Sequence, residues 1–334
     1  MPDIYLGMDL GGSGLRSGLV NTGGTKVLNL PEVSFEPGNL SNSYLAKTLI
    51  EKIQEAVRVM GSKKITAIGL GSPGPLDPVT GVIECPPNLN VRDFPIIQIL
   101  KKEFPTILSF LINDADAALL GEMWKGAARG FKDVVMLTLG TGVGSAVLAG
   151  GKLQRGRGKG AEWGHTTIYA NGERRLCGCR NFNCLEVFAG TEGLVQTYCN
   201  LFNVPRANMS AEDVQLILKE FAKIVNSEMK YNNFHKMADA YCSHLAKGLR
   251  NIICVHHPEC IVLGGGIIQN NRYLFDGVKE ELNKTNDGMA SLIKGTNIGL
   301  AQLKRPGVIG AAQHAIDRFG AWLEIRGIKN RASS

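Results

Sequence analysis

Apolar residues along this chain keep two alternating rhythms. Strand-sized runs recur at residues 4–10, 15–20, 26–30, 65–71, 107–112, 134–139, 145–148 and 260–263. Between them the spacing turns helical. From Ser43 to Met60, Leu45, Leu49, Ile53, Val57 and Met60 line one face, and Gly61 is placed to stop a helix. Further helices are predicted over 211–228, where Ser210 caps and Asp213 follows three residues on, and over 235–256, before Pro258. A last one covers about 308–323, after Pro306-Gly307. Strands alternating with helices make an α/β protein.

The first three runs are joined by Gly11-Gly12 and Gly23-Gly24 and read as an antiparallel meander. Residues 134–148 repeat the device as strand, Gly140-Thr141-Gly142-Val143-Gly144, strand. Leu10-Gly11-Gly12-Ser13 and Leu139-Gly140-Thr141-Gly142 therefore mark two related lobes. The expected division is a small lobe over 1–114, to which a C-terminal helix of about 315–334 returns, and a large lobe over 115–314. No segment is rich enough in Pro, Gly or Ser to separate freely tumbling domains, so two lobes hinged around one cleft are expected.

Composition narrows the class. With 334 residues and 44 % apolar content the chain can bury a sizeable core, yet its apolar runs are strand-sized and broken by glycine, so no membrane span is expected. The first strand starts at Ile4, which leaves no room for a signal peptide or an added N-terminal domain, and Arg331-Ala332-Ser333-Ser334 is no address signal. Of eight cysteines, three form one cluster and the other five are scattered and odd in number, pointing to a reducing compartment, the cytoplasm. The net charge of +7 is dispersed apart from Arg155, Arg157 and Lys159, and no aromatic-basic face suggests nucleic acid. That charge suits a phosphate-bearing small molecule.

The densest chemistry lies in Glu162-Trp163-Gly164-His165, followed by Cys177-Gly178-Cys179-x(4)-Cys184-Leu185-Glu186. His165, Cys177, Cys179 and Cys184 can close a tetrahedral zinc site; saturated by protein, such a metal shapes a site rather than doing chemistry. It would fix the backbone carrying Glu162 and Glu186, two acceptors suited to a polyol. The two turns, with Gly11, Gly12 and Ser13 in one and Thr141 and Gly142 in the other, expose backbone N–H groups fit for a polyphosphate. Neither is a Gly-x(4)-Gly-Lys-Ser/Thr loop.

Asp9, just before the first turn, suits Mg²⁺ directly or through water. Asn113-Asp114 ends a strand, where α/β sheets present ligand-facing groups, and a carboxylate there suits a general base. The same pair are good N-caps for a helix beginning near Ala115, a role Asp116 could share. Gly264-Gly265-Gly266 would let an adenosine ring lie on bare backbone, or form a plain turn. His256-His257 reads as a match to a helix C-terminal dipole. His235, His244 and His314 carry no partner signal.

Taken together and in order, Asp9-Leu-Gly-Gly-Ser13, Ser72-Pro-Gly-Pro75, Pro87-Asn88-Leu89, Asn113-Asp114, Leu139-Gly-Thr-Gly-Val-Gly144, Glu162-Trp-Gly-His165, the cysteine segment and Gly264-Gly-Gly266 resemble the ROK family of sugar kinases (repressor, open reading frame, kinase) over nearly the whole chain. The resemblance implies a two-lobed actin-like ATPase (ribonuclease H-like) fold with an interlobe cleft. It also implies ATP-dependent phosphorylation of a hexose, most often glucose, at the 6-hydroxyl.

Asp114 would be the base. Asn88, Asn113, Glu162, His165 and Glu186 would bind the other hydroxyls, with Gly74 helping through its backbone. His165 would serve both zinc and sugar, the glycine turns the phosphates, and the protein would be a homodimer or homotetramer. An N-acetylmannosamine or N-acetylglucosamine kinase is the alternative substrate reading. A sugar-sensing repressor would need a DNA-binding domain ahead of Ile4, and only three residues precede it.

The chain departs from the family pattern in places. Arg180 and Asn183 stand where the family usually has glycine, and Ser13 replaces a threonine. Pro306-Gly307-Val308-Ile309-Gly310 resembles the adenine-side turn with altered leading residues.

Overall fold

A computed structural model of the chain describes residues 3–36, 40–61, 64–227, 229–284 and 287–326. They fall into two compact units: Met1–Gly130 with Arg155–Gly160 and Gln302–Ser334, and Phe131–Gln154 with Ala161–Ala301.

The first unit opens with β1 (Ile4–Gly11), β2 (Gly14–Asn21), β3 (Lys26–Asn29), β4 (Val33–Ser34) and α1 (Asn42–Met60). It continues through β5 (Ile65–Ser72), the small ribbon β6 (Leu76–Asp77) and β7 (Val82–Ile83), α2 (Ile96–Glu103), β8 (Leu108–Asn113) and α3 (Asp114–Lys125). The sheet runs β3-β2-β1-β5-β8, with β4 also on β2. The β1–β2 pair is antiparallel and places Asp9 opposite Arg16, while β5 and β8 join in parallel.

Leu6, Met8 and Leu10 of β1 pack with Leu45, Leu49 and Ile53 of α1, whereas Tyr5 faces a second cluster with Ile309 and Ala312. A strand covered on both faces reads as a continuous apolar run, which is why 4–10 was legible. Ser41 caps α1 by accepting from Tyr44 N–H, and Gly61 ends it at φ 59°.

The second unit carries β9 (Val134–Leu139), β10 (Val143–Ala149), β11 (Lys152–Leu153), a 3₁₀ turn over Trp163–His165, α4 (Glu186–Ala189) and α5 (Thr191–Phe202). Then follow α6 (Ala211–Val225), α7 (Asn233–His256), β12 (Cys260–Gly264), α8 (Gly266–Gln269), α9 (Arg272–Asn283), α10 (Asp287–Gly295) and β13 (Asn297–Leu300). Its sheet is β11-β10-β9-β12-β13, with β9–β10 antiparallel and β9–β12 parallel. An antiparallel hairpin followed by a parallel neighbour thus occurs in both units, as the paired turns anticipated. The core lies where Tyr241, Leu245, Leu249 and Ile252 of α7 meet Phe188, Leu194 and the inner faces of β9 and β12.

The last described helix, α11 (Pro306–Ile325), belongs to the first unit. It packs backbone to backbone: a Cβ on Gly69 would run into Ala311 O, and one on Gly310 into Ala117 O. The fully buried Glu122 of α3 accepts N–H bonds from Gln302 and Leu303 at 2.8–3.1 Å. These contacts keep all of α3, and the chain to Gly130, in the first unit, where the sequence expectation divided the lobes at 114.

Other boundaries also differ. The capping box at Ser210 and Asp213 is present, but α6 ends at Val225; Glu228, inside the expected helix, lies outside the described residues. So do 327–334 of the expected C-terminal helix, which begins at Pro306 because proline fits a helix's first turn. Helices α2, α5, α9 and α10 were not anticipated, although Leu274, Val278 and Leu282 repeat every fourth residue along α9. Among the described residues, no helix is long and apolar enough to cross a membrane.

Candidate functional site

In the first unit β8 runs straight into α3, so Asn113 and Asp114 sit at the sheet's carboxyl edge. Asn113 is the cap, its Oδ1 accepting from Ala115 N at 3.0 Å and Asp116 N at 3.2 Å. That leaves its amide nitrogen as a donor. Asp114 accepts the Ala115 N–H at 2.9 Å and is also held by the Asn113 side chain. Asp116 takes no capping role and instead pairs with Arg155 Nε at 2.7 Å. Lys159 pairs with Glu84, also at 2.7 Å, so two members of the basic cluster are neutralised locally.

Asp114 keeps some exposed surface, but the protein around it displaces enough water to raise its pKa to about 6. Asp9 is likewise raised to about 6, first by lost hydration and then by repulsion from Asp114, with Arg16 and Arg305 pulling the other way. Gly307 lies against Asp9, where a Cβ would stand 2.6–2.8 Å from the carboxyl atoms. The first turn touches Asn88: a Cβ on Gly12 would be 2.8 Å from Asn88 O. A Cβ on Gly74 would be 3.6 Å from Asn113 Nδ2. Asp9, Gly12, Gly74, Asn88, Asn113 and Asp114 are thus linked pairwise inside one unit, with Gly11 and Ser13 in the same turn.

In the second unit the glycine turn is clasped by the start of α4 and α5. Glu186 Oε2 accepts the Val143 N–H at 3.1 Å, and a Cβ on Gly142 would run into that oxygen. Thr191 donates its N–H and hydroxyl to Gly140 O at 2.9 and 3.1 Å, while Thr141 stays exposed. Gly265 has φ 98° and so little room that a Cβ would strike the backbone of Leu139. Glycine is required there, and it sets the Gly264-Gly265-Gly266 turn against the start of the Gly140-Thr141-Gly142 turn. The Gly265 N–H is already taken by Gln269 Oε1 at 3.0 Å.

His165, Cys177, Cys179 and Cys184 converge: their ligand atoms all lie within 4.8 Å of one another. Cys179 and Cys184 sulfurs are 3.5 Å apart, and Cys177 Sγ is 3.6 Å from His165 Nδ1. Tetrahedral bonds of roughly 2.3 Å imply ligand edges of roughly 3.8 Å, so the donor set fits one ion, and the sulfur separation is too long for a disulfide. Burial first, and the neighbouring Cys179 and Cys177 next, push the Cys184 thiol up to about 12, a cost that a bound cation would remove. Arg180 and Asn183 hold φ of 70° and 59°. These left-handed positions explain why glycine is usual there; asparagine tolerates the geometry better than arginine.

One supporting residue escaped the sequence and another was assigned a different role. Arg175 is 9 % exposed and spends its guanidinium on Glu173, Val187 O, Gly193 O and Thr197, tying the cysteine loop to α4 and α5. An arginine among charged neighbours gives no signal of that role. His256 was read as a dipole match, which needs a charged ring. Burial lowers its pKa, and its Nε2 accepts the Trp163 indole N–H at 3.1 Å. Glu162 is exposed beside Trp163.

A family model described as "ROK family" matches residues 5–318. The glucokinase of Thermotoga maritima is 31 % identical over 290 residues, covering 84 % of this chain and 88 % of its own length. That of Halalkalibacterium halodurans is 30 % identical over 283 residues, covering 83 % and 84 %. The crystal structure of a ROK hexokinase from Thermus thermophilus superposes with a TM-score of 0.75 at 29 % identity, covering 97 % of this chain and 99 % of that one. The fold is the actin-like ATPase α/β fold anticipated from the sequence.

Proposed function

The chain belongs to the ROK family, and from that premise we propose that it transfers the γ-phosphoryl group of ATP to the 6-hydroxyl of a hexose, glucose first. The similarity to two glucokinases supports a sugar kinase. The observation that carries the reaction is Asp114, a carboxylate at a strand end whose displaced hydration raises its proton affinity to about 6.

As the sugar oxygen forms its bond to phosphorus and the bond to the ADP oxygen breaks, the hydroxyl proton passes to Asp114. General-base help of this kind is worth roughly 10²–10⁴-fold. Positioning does the larger part. Asn88, the amide nitrogen of Asn113, Glu162, His165 and Glu186 meet the remaining hydroxyls, with the Gly74 backbone. Gly11, Gly12, Ser13, Thr141 and Gly142 receive the phosphate chain, and Gly264, Gly265 and Gly266 the adenosine.

Asp9 would hold Mg²⁺, which supplies charge neutralisation on the phosphates. His165, Cys177, Cys179 and Cys184 would hold zinc through His165 Nδ1 and three thiolates, leaving His165 Nε2 to the sugar. Zinc there supplies structure alone. The protein acts in the cytoplasm as a homodimer or homotetramer.

A coupled assay of the purified chain with ATP, Mg²⁺ and a panel of glucose, mannose, N-acetylmannosamine and N-acetylglucosamine tests this reading. Glucose is expected to give the highest kcat/KM, and Asp114→Asn to lower kcat at least 10²-fold while sugar still binds. Faster turnover of an amino sugar would move the substrate assignment. Full turnover by Asp114→Asn would remove the base.

A further inference from the structure

We infer that Arg16 and Arg305 form a cationic subsite for the phosphate chain of the donor, beside the turn between β1 and β2. This rests on the kinase reading above and adds residues which that reading does not use.

Asp9 and Arg16 are register partners in an antiparallel pair, so their side chains share one face of the hairpin. Arg16 Nε donates to Glu32 Oε1 at 2.8 Å, and Glu32 Oε2 lies 3.5 Å from Arg305 Nη2. Glu32 directly precedes β4, which pairs with Gly14 and Leu15, so this bridge runs along the glycine turn. Arg305 is the N-cap residue of α11, two positions before the Gly307 that packs on Asp9. Both guanidiniums act electrostatically on Asp9.

Two cations share the one carboxylate of Glu32; the other acid on this face, Asp9, would be matched by Mg²⁺, which leaves guanidinium charge for an arriving anion. Arg305 Nη1, moreover, is buried with no hydrogen-bond partner among the described residues. A buried donor without an acceptor is costly, and an anionic oxygen is its strongest partner. A neutral sugar hydroxyl satisfies a guanidinium poorly. A phosphate oxygen arriving at the backbone N–H groups of Gly11 and Gly12 satisfies both the fork geometry and the charge. The turn contains no lysine, and these arginines fill that electrostatic role from β2 and from the start of α11.

The test is calorimetric titration of the full chain with MgATP, with magnesium tripolyphosphate and separately with glucose, comparing wild type, Arg305→Met, Arg305→Lys and Arg16→Met. Arg305→Met is expected to weaken both anions about tenfold or more, with glucose affinity unchanged and Arg305→Lys partly restoring binding. Arg16, about half exposed on β2, gives a second variant whose anion affinity falls in the same direction should Arg305→Met fail to fold. Wild-type binding of MgATP that neither methionine variant alters overturns the subsite alone. A wild type that binds glucose but neither anion overturns the donor reading and the subsite with it.

Discussion

Glu186 and Val143 are joined by a 3.1 Å hydrogen bond from the Val143 N–H to the Glu186 carboxylate. The other oxygen of the same side chain lies 3.5 Å from Cys177 Sγ. One carboxylate therefore touches both the second glycine turn and the His/Cys cluster. A residue expected only to hold sugar is also what keeps the turn against α4.

The Gly142→Ala substitution drives a methyl group into Glu186 Oε2. Glu186 must swing away and release Val143, so the KM values for ATP and for sugar should rise together, each about tenfold, consistent with 1–3 kcal/mol of overpacking. Steady-state kinetics in both substrates measure this. A rise for ATP alone would separate Glu186 from the sugar.

Asp114 and Asp9 both titrate near pH 6. A base must be ionised, so kcat/KM should fall on going below about pH 6, with no comparable loss up to pH 8. Stability runs the other way. The folded pKa exceeds the unfolded value near 4, so burial favours the fold fully below about pH 4, and that advantage is lost as pH rises through 6. Asp114→Asn removes the charge and keeps an acceptor for Ala115, so at pH 7.5 it should be inactive yet more stable, by on the order of 2 kcal/mol. Thermal melts at pH 4.5 and 7.5 would show a clearly larger gain at the higher pH.

The Trp163 indole N–H depends on His256. His256→Leu leaves that donor without its acceptor, a loss of about 1–3 kcal/mol that loosens the turn carrying Glu162 and His165. Sugar KM should rise several-fold with a smaller change in kcat, and His256→Gln should recover most of it by offering an amide oxygen. Equal kinetics for Leu and Gln would make the contact incidental.

Arg180 sits at φ 70°, a conformation costing a non-glycine residue roughly 1–2 kcal/mol. Arg180→Gly should therefore hold a metal ion more tightly. The checking measurement is the chelator concentration that strips half the zinc, expected to rise several-fold. In the opposite sense, Cys179→Ser should lose zinc and, through Glu186, weaken ATP as well as sugar.

Much of this was legible beforehand. Strands at 4–10, 65–71 and 134–139 could be read because both faces of each are covered and nearly every position is apolar, Asp9, Thr66 and Thr138 being the exceptions. The gathering of His165, Cys177, Cys179 and Cys184 was readable because metal chemistry would constrain residue type and spacing within a short segment. The helices at 191–202 and 272–283 were missed among polar residues. His256 was misassigned because its partner Trp163 lies 93 residues away. The boundary at 114 was set too early because α3 is held by a helix from the far end of the chain.

By itself, then, the sequence determined whatever depends on neighbours along the chain: strand and helix order, caps, the paired glycine turns, the His/Cys spacing and the family resemblance. Tertiary structure alone decided that α11 docks on β1, β5 and α3, that Glu186 spans the glycine turn and the cysteines, and that Arg16 and Arg305 share Glu32. Those relationships join residues far apart in the chain, and they depend on close packing, lost hydration and charge proximity, none of which has a local signature.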